Sequence, residues 1–173
     1  MFNLGTPVTI IIDDYLPYSK SRPGELKFSK ISSDGAVWSP LMEKAAAKFL
    51  GSYEAINGGL EESAFSMFLG TPYQSYQHED YSVNDLWSLI QEGESRNAMI
   101  TTGSHFASDG DRSTNRDGIP YTHAFTVLLT MTLSDGTLLL KIRNPWNIEF
   151  YKGVWSDSSR KWNRKISEEI PHT

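Results

Sequence analysis

The stretch "THAFTVLLTMTLSDGTLLLKIRNPWN", residues 122–147, decides the fold of this chain. Residues 123–131 and 137–143 are predominantly apolar, and the "SDG" at 134–136 between them is a strong signal for a β-hairpin turn. We therefore predict two antiparallel strands joined by a tight turn. A polar amide, Asn144, stands where the second strand ends.

The predicted hairpin also brings two polar side chains to one face. If Asp135 and Gly136 form a two-residue turn, Asn144 lies opposite Val127, and directly opposed residues share a face. His123 has the same parity as Val127, so His123 and Asn144 project from the same face near the same end. This register leaves the two residues four positions apart, roughly 13 Å at about 3.3 Å per residue. A bulge or a different turn length is needed for contact.

A histidine paired with an amide has a specific chemistry. A catalytic histidine needs its second ring nitrogen held, so that the correct tautomer faces the substrate. The amide oxygen of Asn144 can accept that N–H without adding charge, and the indole of Trp146 can cover the bond. His123 then serves a nucleophile as base, or stabilises a thiolate as imidazolium. The structural alternative is that His123 caps an edge strand while Trp146 fills a gap in the core.

Three further strands are predicted. Residues 6–14, "TPVTIIIDD", stop at paired aspartates, and Pro17 supports the break. Residues 25–32, "ELKFSKIS", alternate apolar and polar residues and are expected to pair antiparallel with the first strand. Residues 97–104, "NAMITTGS", form a short strand before the hairpin.

Helices are marked by the residues at their ends. Ser39 is a predicted N-cap with Pro40 at the first helical position, and Gly51 can close that helix in a left-handed conformation. The segment 82–96 begins with the Ser-x-x-Asp spacing of a capping box and has an apolar face at helical spacing. Helices in the first half and mostly antiparallel strands in the second predict one α+β domain over residues 1–173.

Composition excludes several classes of protein. The chain has 173 residues, 16 of them basic and 21 acidic, and no basic stripe, which argues against a nucleic-acid partner. No apolar run approaches the roughly 18 residues that a membrane span requires. The N-terminus lacks the cationic flank and cleavage site of a signal peptide. The absence of cysteine excludes disulfides and thiolate metal sites and favours an intracellular, cytoplasmic location.

The polar stretch 106–121 predicts a long mobile loop, and loops of this length are often functional lids. Its acidic part, 108–118, invites comparison with a calcium loop. An EF-hand needs glycine at the sixth position and glutamate at the twelfth, where this chain has Thr114 and Pro120, so a solvated loop is preferred. The histidines lack the spacing of a zinc pair, and no nucleophile-elbow motif supports a serine hydrolase.

Several segments together resemble one family. "THAFTV", "LLLKIRNPW" and "GVWSDSSRKW" resemble the second protease subdomain of calpains, which are papain-like intracellular cysteine proteases. "VTIIIDDYLP", "WSPLMEKAAAKFLGSYEAINGG" and "FSMFLG" extend the similarity from about residue 8 to about residue 162. The resemblance implies the C-terminal half of a papain-like fold, with helices packed on a mostly antiparallel sheet or barrel. It also implies an endopeptidase that hydrolyses peptide bonds of polypeptide substrates.

The resemblance implies roles for individual residues. His123 matches the general base of a Cys-His-Asn triad, Asn144 the residue that orients it, and Trp146 the indole that shields their contact. Asp157 matches a calcium ligand, and residues 106–121 match a flexible loop that gates the substrate cleft. The family's cysteine lies in a preceding subdomain, which is the implied partner. This chain alone is expected to be inactive, because a base without a nucleophile hydrolyses amides negligibly.

Departures from the family pattern leave an alternative open. Thr122 stands where glycine usually precedes the histidine, and Asn147 replaces the glycine of "NPWG", although asparagine tolerates a left-handed φ. Phe150 occupies a position where an acidic calcium ligand is common, with Glu149 beside it. No cofactor is required in this chain, and calcium is expected only in a full-length protein. The alternative function is a catalytically inactive calpain-like module that serves protein binding or calcium-dependent regulation.

Overall fold

The structure is a computed structural model that describes residues 1–146, 148 and 150–170. Its chain divides into two compact units, the first from Met1 to Ser75 and the second from Tyr76 onward. One domain over residues 1–173 stays a prediction. No helix in the described part of the chain is long and apolar enough to cross a bilayer.

The regular structure of the first unit is mainly helical. A two-residue strand pair, β1 (Phe2–Asn3) and β2 (Thr6–Pro7), lies at its start. Two helices follow, α1 (Trp38–Leu50) and α2 (Glu61–Leu69), with a 3-10 turn at Glu54–Ile56 between them. Both helices end at glycines with positive φ, as expected for C-terminal glycines.

The predicted strand at 6–14 is wrong beyond β2. Residues 8–14 belong to no strand, and side chains from α1 bond carbonyl groups in and just after this segment. The ammonium group of Lys44 donates to the carbonyl oxygens of Asp13 and Tyr15, and that of Lys48 donates to the carbonyl oxygen of Ile11. An extended apolar segment is thus held by lysine side chains and not by a neighbouring strand.

The predicted partner strand at 25–32 is also wrong, since Leu26 makes only an isolated bridge to Tyr18. The predicted start of α1 needs a smaller correction. The helix begins at Trp38, and the hydroxyl of Ser39 bonds the hydroxyl of Ser29 at 2.8 Å instead of capping the helix. The Ser39 hydroxyl, which was expected to cap the helix, therefore bonds a side chain outside the helix.

The second unit contains an antiparallel sheet in the order β3-β4-β5. Its elements are α3 (Val83–Ser95), β3 (Ile100–Gly103), β4 (Ala124–Thr132), β5 (Leu138–Arg143) and α4 (Arg164–Glu169), with 3-10 turns at His78–Asp80 and Gly110–Arg112. The predicted capping box at Ser82 and Asp85 is confirmed. Helices combined with antiparallel strands confirm the predicted α+β class.

The turn between β4 and β5 is one residue longer than predicted. Leu133 N–H donates to the Thr137 carbonyl at 2.8 Å, which leaves three residues, 134–136, in the loop. Gly136 has φ +84°, the left-handed conformation that closes a three-residue hairpin loop. This turn shifts the register of β5 by one residue relative to the two-residue turn.

A β-bulge in β4 adds a second shift of one residue. Val127 pairs with Ile142, but Leu129 pairs with Lys141, so Leu128 is an extra residue on its strand. A bulge of this kind bends the strand and changes which residues oppose each other beyond it.

The two shifts together bring the site residues within reach. Each one-residue slip alone moves a side chain to the opposite face, and a second slip restores the original face. Because Thr126 pairs with Arg143, Asn144 lies level with Phe125 and not with Val127. Asn144 is therefore on the same face as His123 and two positions nearer to it than the simple register predicts.

Candidate active site

His123 is held at the start of β4 by the chain that leaves β3. Ser104 N–H donates to the His123 carbonyl at 2.9 Å, and His123 N–H donates to the Ser104 hydroxyl oxygen at 3.0 Å. The same hydroxyl donates to the Pro120 carbonyl at 2.6 Å. The imidazole is buried and contacts the ring of Phe125 edge-on, with 4.8 Å between the ring centroids. Both the backbone and the ring of His123 are thus fixed.

Asn144 contacts the imidazole directly. His123 Nε2 lies 2.9 Å from Asn144 Oδ1. The same oxygen accepts the Trp146 backbone N–H at 3.0 Å, while Asn144 Nδ2 donates to the Ile148 carbonyl at 3.1 Å. A flipped amide would present Nδ2 to the Trp146 N–H and Oδ1 to the Ile148 carbonyl, so these two bonds fix the amide oxygen towards the histidine.

This geometry determines the tautomer of His123. An amide oxygen only accepts hydrogen bonds, so Nε2 must carry the proton and donate. In the neutral imidazole the other nitrogen, Nδ1, then carries the lone pair. Within the described residues Nδ1 makes no hydrogen bond. Nδ1 is therefore the atom that can take a proton from a bound group.

Trp146 covers one side of the imidazole. Its ring centroid lies 4.1 Å from that of His123 at an interplanar angle of 42°. The residue is 40% exposed, so its indole does not fill a gap in the core. One face of the indole shields the histidine from water. The Phe150 ring contacts the indole edge-on, with 6.1 Å between the two ring centroids.

Thr122, next to the histidine, has an unusual backbone. Its φ is +46°, a conformation that β-branched residues rarely adopt and that costs on the order of 1–3 kcal/mol. Its N–H donates to the His105 carbonyl at 2.8 Å, and its hydroxyl oxygen accepts the Ala107 N–H at 2.9 Å. These bonds hold the strained residue against the start of the loop.

Asp157, the predicted calcium ligand, is exposed. No cluster of three or more metal-ligating side chains exists among the residues that the structure describes. The predictions at Asn147 and Glu149 lie outside the described residues. The structure therefore brings together His123, Asn144 and Trp146, whereas Asp157 belongs to no such cluster in the described part of the chain.

Sequence reasoning missed two residues of this site, Ser104 and Phe125. Ser104 lies 19 residues before His123, and a lone serine after a short strand carries no signal of its role. Phe125 reads simply as an apolar strand residue, although its position two residues after His123 on the same face would have predicted the ring contact.

Several known proteins have sequences similar to that of this chain. A sequence model of the family described as calpain family cysteine protease matches residues 1–172. The calpain-type cysteine protease ADL1 of Oryza sativa subsp. japonica is 33% identical over 175 residues, covering 97% of this chain and 8% of that protein. The calpain-1 catalytic subunit of Mus musculus is 31% identical over 168 residues, covering 95% of this chain and 23% of that protein.

Human calpain-12 is 30% identical over 171 residues, covering 97% of this chain and 23% of that protein. This chain thus spans between 8% and 23% of the length of these three relatives.

Proposed function

Because this chain belongs to the calpain family of cysteine proteases, we propose that it carries the base of an endopeptidase active site. The observation that supports this role is the 2.9 Å contact between His123 Nε2 and Asn144 Oδ1 beside the indole of Trp146. It leaves Nδ1 as the free basic nitrogen. A cysteine outside this chain supplies the nucleophile, because this chain contains none.

The proposed reaction uses His123 twice. Nδ1 first removes the proton of the partner's thiol, and the thiolate attacks the carbonyl carbon of a peptide bond. The imidazolium then returns the proton to the leaving amine, which breaks the C–N bond and leaves a thioester. Water hydrolyses the thioester with Nδ1 again acting as base. Asn144 keeps Nδ1 directed at the reacting atoms and adds no charge, while Trp146 limits access of water to the Nε2–H.

The proposed partner is the cysteine-bearing subdomain of the same protease core, and the substrates are polypeptides. In this proposal residues 1–173 form the second, C-terminal subdomain of a papain-like fold. The α+β class, the antiparallel sheet and the extent of the family match support it. A cytoplasmic location and a calcium requirement of a longer protein, including a role for Asp157, remain predictions.

A complementation assay tests this function. The purified chain is mixed with a separately expressed cysteine-bearing calpain half, association is followed by light scattering, and cleavage of casein is measured. We expect cleavage by the mixture and by neither half alone. His123→Ala should abolish cleavage, whereas His105→Ala, which removes an exposed imidazole, should not. Equal turnover by His123→Ala and the parent, or association without cleavage, would contradict the catalytic role.

One observation favours the alternative, an inactive calpain-like module that binds proteins or responds to calcium. Thr122 adopts φ +46° beside the histidine, where the family usually carries glycine. If this residue blocks substrate, Thr122→Gly will restore cleavage in a complemented mixture that is otherwise inactive. Equal activity of the parent and Thr122→Gly would remove this support for the alternative.

A further inference from the structure

Part of the long polar loop is an ordered hairpin, defined as residues 113–121. Tyr121 N–H donates to the Ser113 carbonyl at 3.1 Å, and Thr114 bridges to Pro120. At its tip, Asn115 Oδ1 accepts the backbone N–H groups of residues 117 and 119, both at 2.9 Å. The hairpin is therefore held together by its own hydrogen bonds.

The tip of the 113–121 hairpin packs against the backbone at Phe150 and Lys152, which follows the turn that carries Asn144 and Trp146. Gly118 is buried with φ +87°. A Cβ on Gly118 would overlap the carbonyl oxygen of Phe150 and lie 2.7 Å from its carbonyl carbon. Beside this contact, Lys152 N–H donates to the Asp117 carbonyl at 2.7 Å. Only glycine permits both the conformation and the close approach.

The Phe150 contact leads back to the proposed active site. The Phe150 ring meets the indole of Trp146, and that indole covers His123. The base of the hairpin reaches the other side of the site, since the Pro120 carbonyl accepts the hydroxyl of Ser104. The hairpin therefore contacts the supports of both the histidine and the tryptophan.

We propose that the 113–121 hairpin is a brace that positions Asn144 and Trp146 against His123, with Gly118 as its key positioning residue. Its tip holds the backbone at Phe150 and Lys152, and this limits the movement of the turn that carries the amide and the indole. The catalytic role of this brace rests on the proposed function. Its effect on the hydrogen bond between His123 Nε2 and Asn144 Oδ1 does not depend on the proposed function.

The brace divides the 106–121 loop into two parts. Residues 106–112 precede the hairpin, and Phe106 among them is 82% exposed. The hairpin contains two buried residues, Gly118 and Pro120. If any part of this loop gates a substrate cleft, we expect residues 106–112 to move more than the 113–121 hairpin.

Two glycines of the same loop allow a matched test. Gly110 and Gly118 have φ values of +67° and +87°, but a Cβ on Gly110 meets nothing within 4 Å. Gly110→Ala therefore reproduces the backbone strain without the contact to Phe150. The measurement is the solvent exchange rate of the His123 Nε2–H in ¹⁵N-labelled chain, followed by NMR.

We expect Gly118→Ala to accelerate this exchange by about tenfold or more, because the hydrogen-bonded state opens more often. Gly110→Ala should leave the rate within about twofold of the parent, since it does not disturb that state. An unchanged rate in Gly118→Ala, or equal acceleration in both variants, would overturn the proposal.

Two substitutions at Asn115 keep the proposal testable if Gly118→Ala does not fold. Asn115→Leu removes the oxygen that orders the tip, and Asn115→Asp retains an acceptor at the same position. We expect faster exchange in Asn115→Leu and recovery in Asn115→Asp. Equal rates in both variants and the parent would refute the brace. Absence of casein cleavage with an intact exchange pattern would instead refute the proposed function and leave the brace standing.

Discussion

The two ends of the β4–β5 hairpin are built in different ways. At the closed end, the conformation depends on neighbours in sequence, such as Gly136 with φ +84° and Asp135, whose carboxylate accepts the Thr137 N–H at 2.9 Å. At the open end, the bond between His123 and Asn144 joins residues 21 positions apart. Local turn chemistry fixes the closed end, whereas the open end depends on every register shift between the two residues.

Deletion of Ile142 should produce the largest effect, because it shifts the open end of β5 by one residue relative to β4. With the bulge kept, Asn144 would lie opposite Thr126 and project from the face opposite His123. We expect complete loss of the Nε2–Oδ1 hydrogen bond and of any complemented protease activity. Ile142→Ala keeps the residue count and should retain both, since the side chain is 43% exposed. A crystal structure of the deletion variant with the bond intact would refute the register argument.

Asn144→Ala should have the next largest effect. The imidazole loses the acceptor that holds its tautomer, and we expect kcat/KM in the complemented enzyme to fall by about 100-fold, the low end of what a positioned general base contributes. The loss should fall mainly on kcat, because Asn144 orients the base and does not bind substrate. A change confined to KM would show that Asn144 acts in binding instead.

Comparison of the two ends also shows what the sequence could predict. The hairpin followed from the "SDG" signal. The shared face of His123 and Asn144 was predicted from parity in a two-residue-turn register, and it holds because the longer turn and the bulge each shift that register by one residue. Their contact did not follow, because nothing in "TVLLT" marks Leu128 as a bulge and the three-residue loop competes with a two-residue turn. The strand predicted at 6–14 failed for a different reason: lysines 31 to 37 residues away satisfy its carbonyl groups.

Gly136→Ala should have a smaller effect, confined to the closed end. A Cβ at this position meets no atom within 4 Å, so the cost is that of φ +84° alone, about 1–2 kcal/mol of unfolding free energy. Urea denaturation should detect this loss while the His123 Nε2–H signal stays unchanged in NMR spectra. A shifted or missing signal would mean that the two ends are coupled more tightly than the structure indicates.

The smallest expected effect is a pH dependence at the closed end. The backbone N–H and hydroxyl of Ser134 donate to Glu169 and lower the pKa of that carboxyl below its ordinary value of 4.5. The resulting stabilisation is present above the ordinary pKa and is lost as the pH falls through the lowered one. Glu169→Gln should therefore lower Tm slightly at neutral pH and leave it unchanged in strong acid.

Glu168→Gln is the control for this pH dependence, because Glu168 pairs with Arg164 on the same helix and not with Ser134. A Tm difference between parent and Glu169→Gln that persists unchanged into strong acid would contradict the assignment to a charged carboxylate.

The tautomer of His123 tests the central claim most directly. In a long-range ¹H–¹⁵N spectrum of the labelled chain at neutral pH, we predict a protonated Nε2 and an unprotonated Nδ1. His105, which is exposed, provides an internal reference for an unrestrained imidazole. A proton fixed on Nδ1, or tautomer averaging indistinguishable from that of His105, would contradict the assignment of Nδ1 as the base.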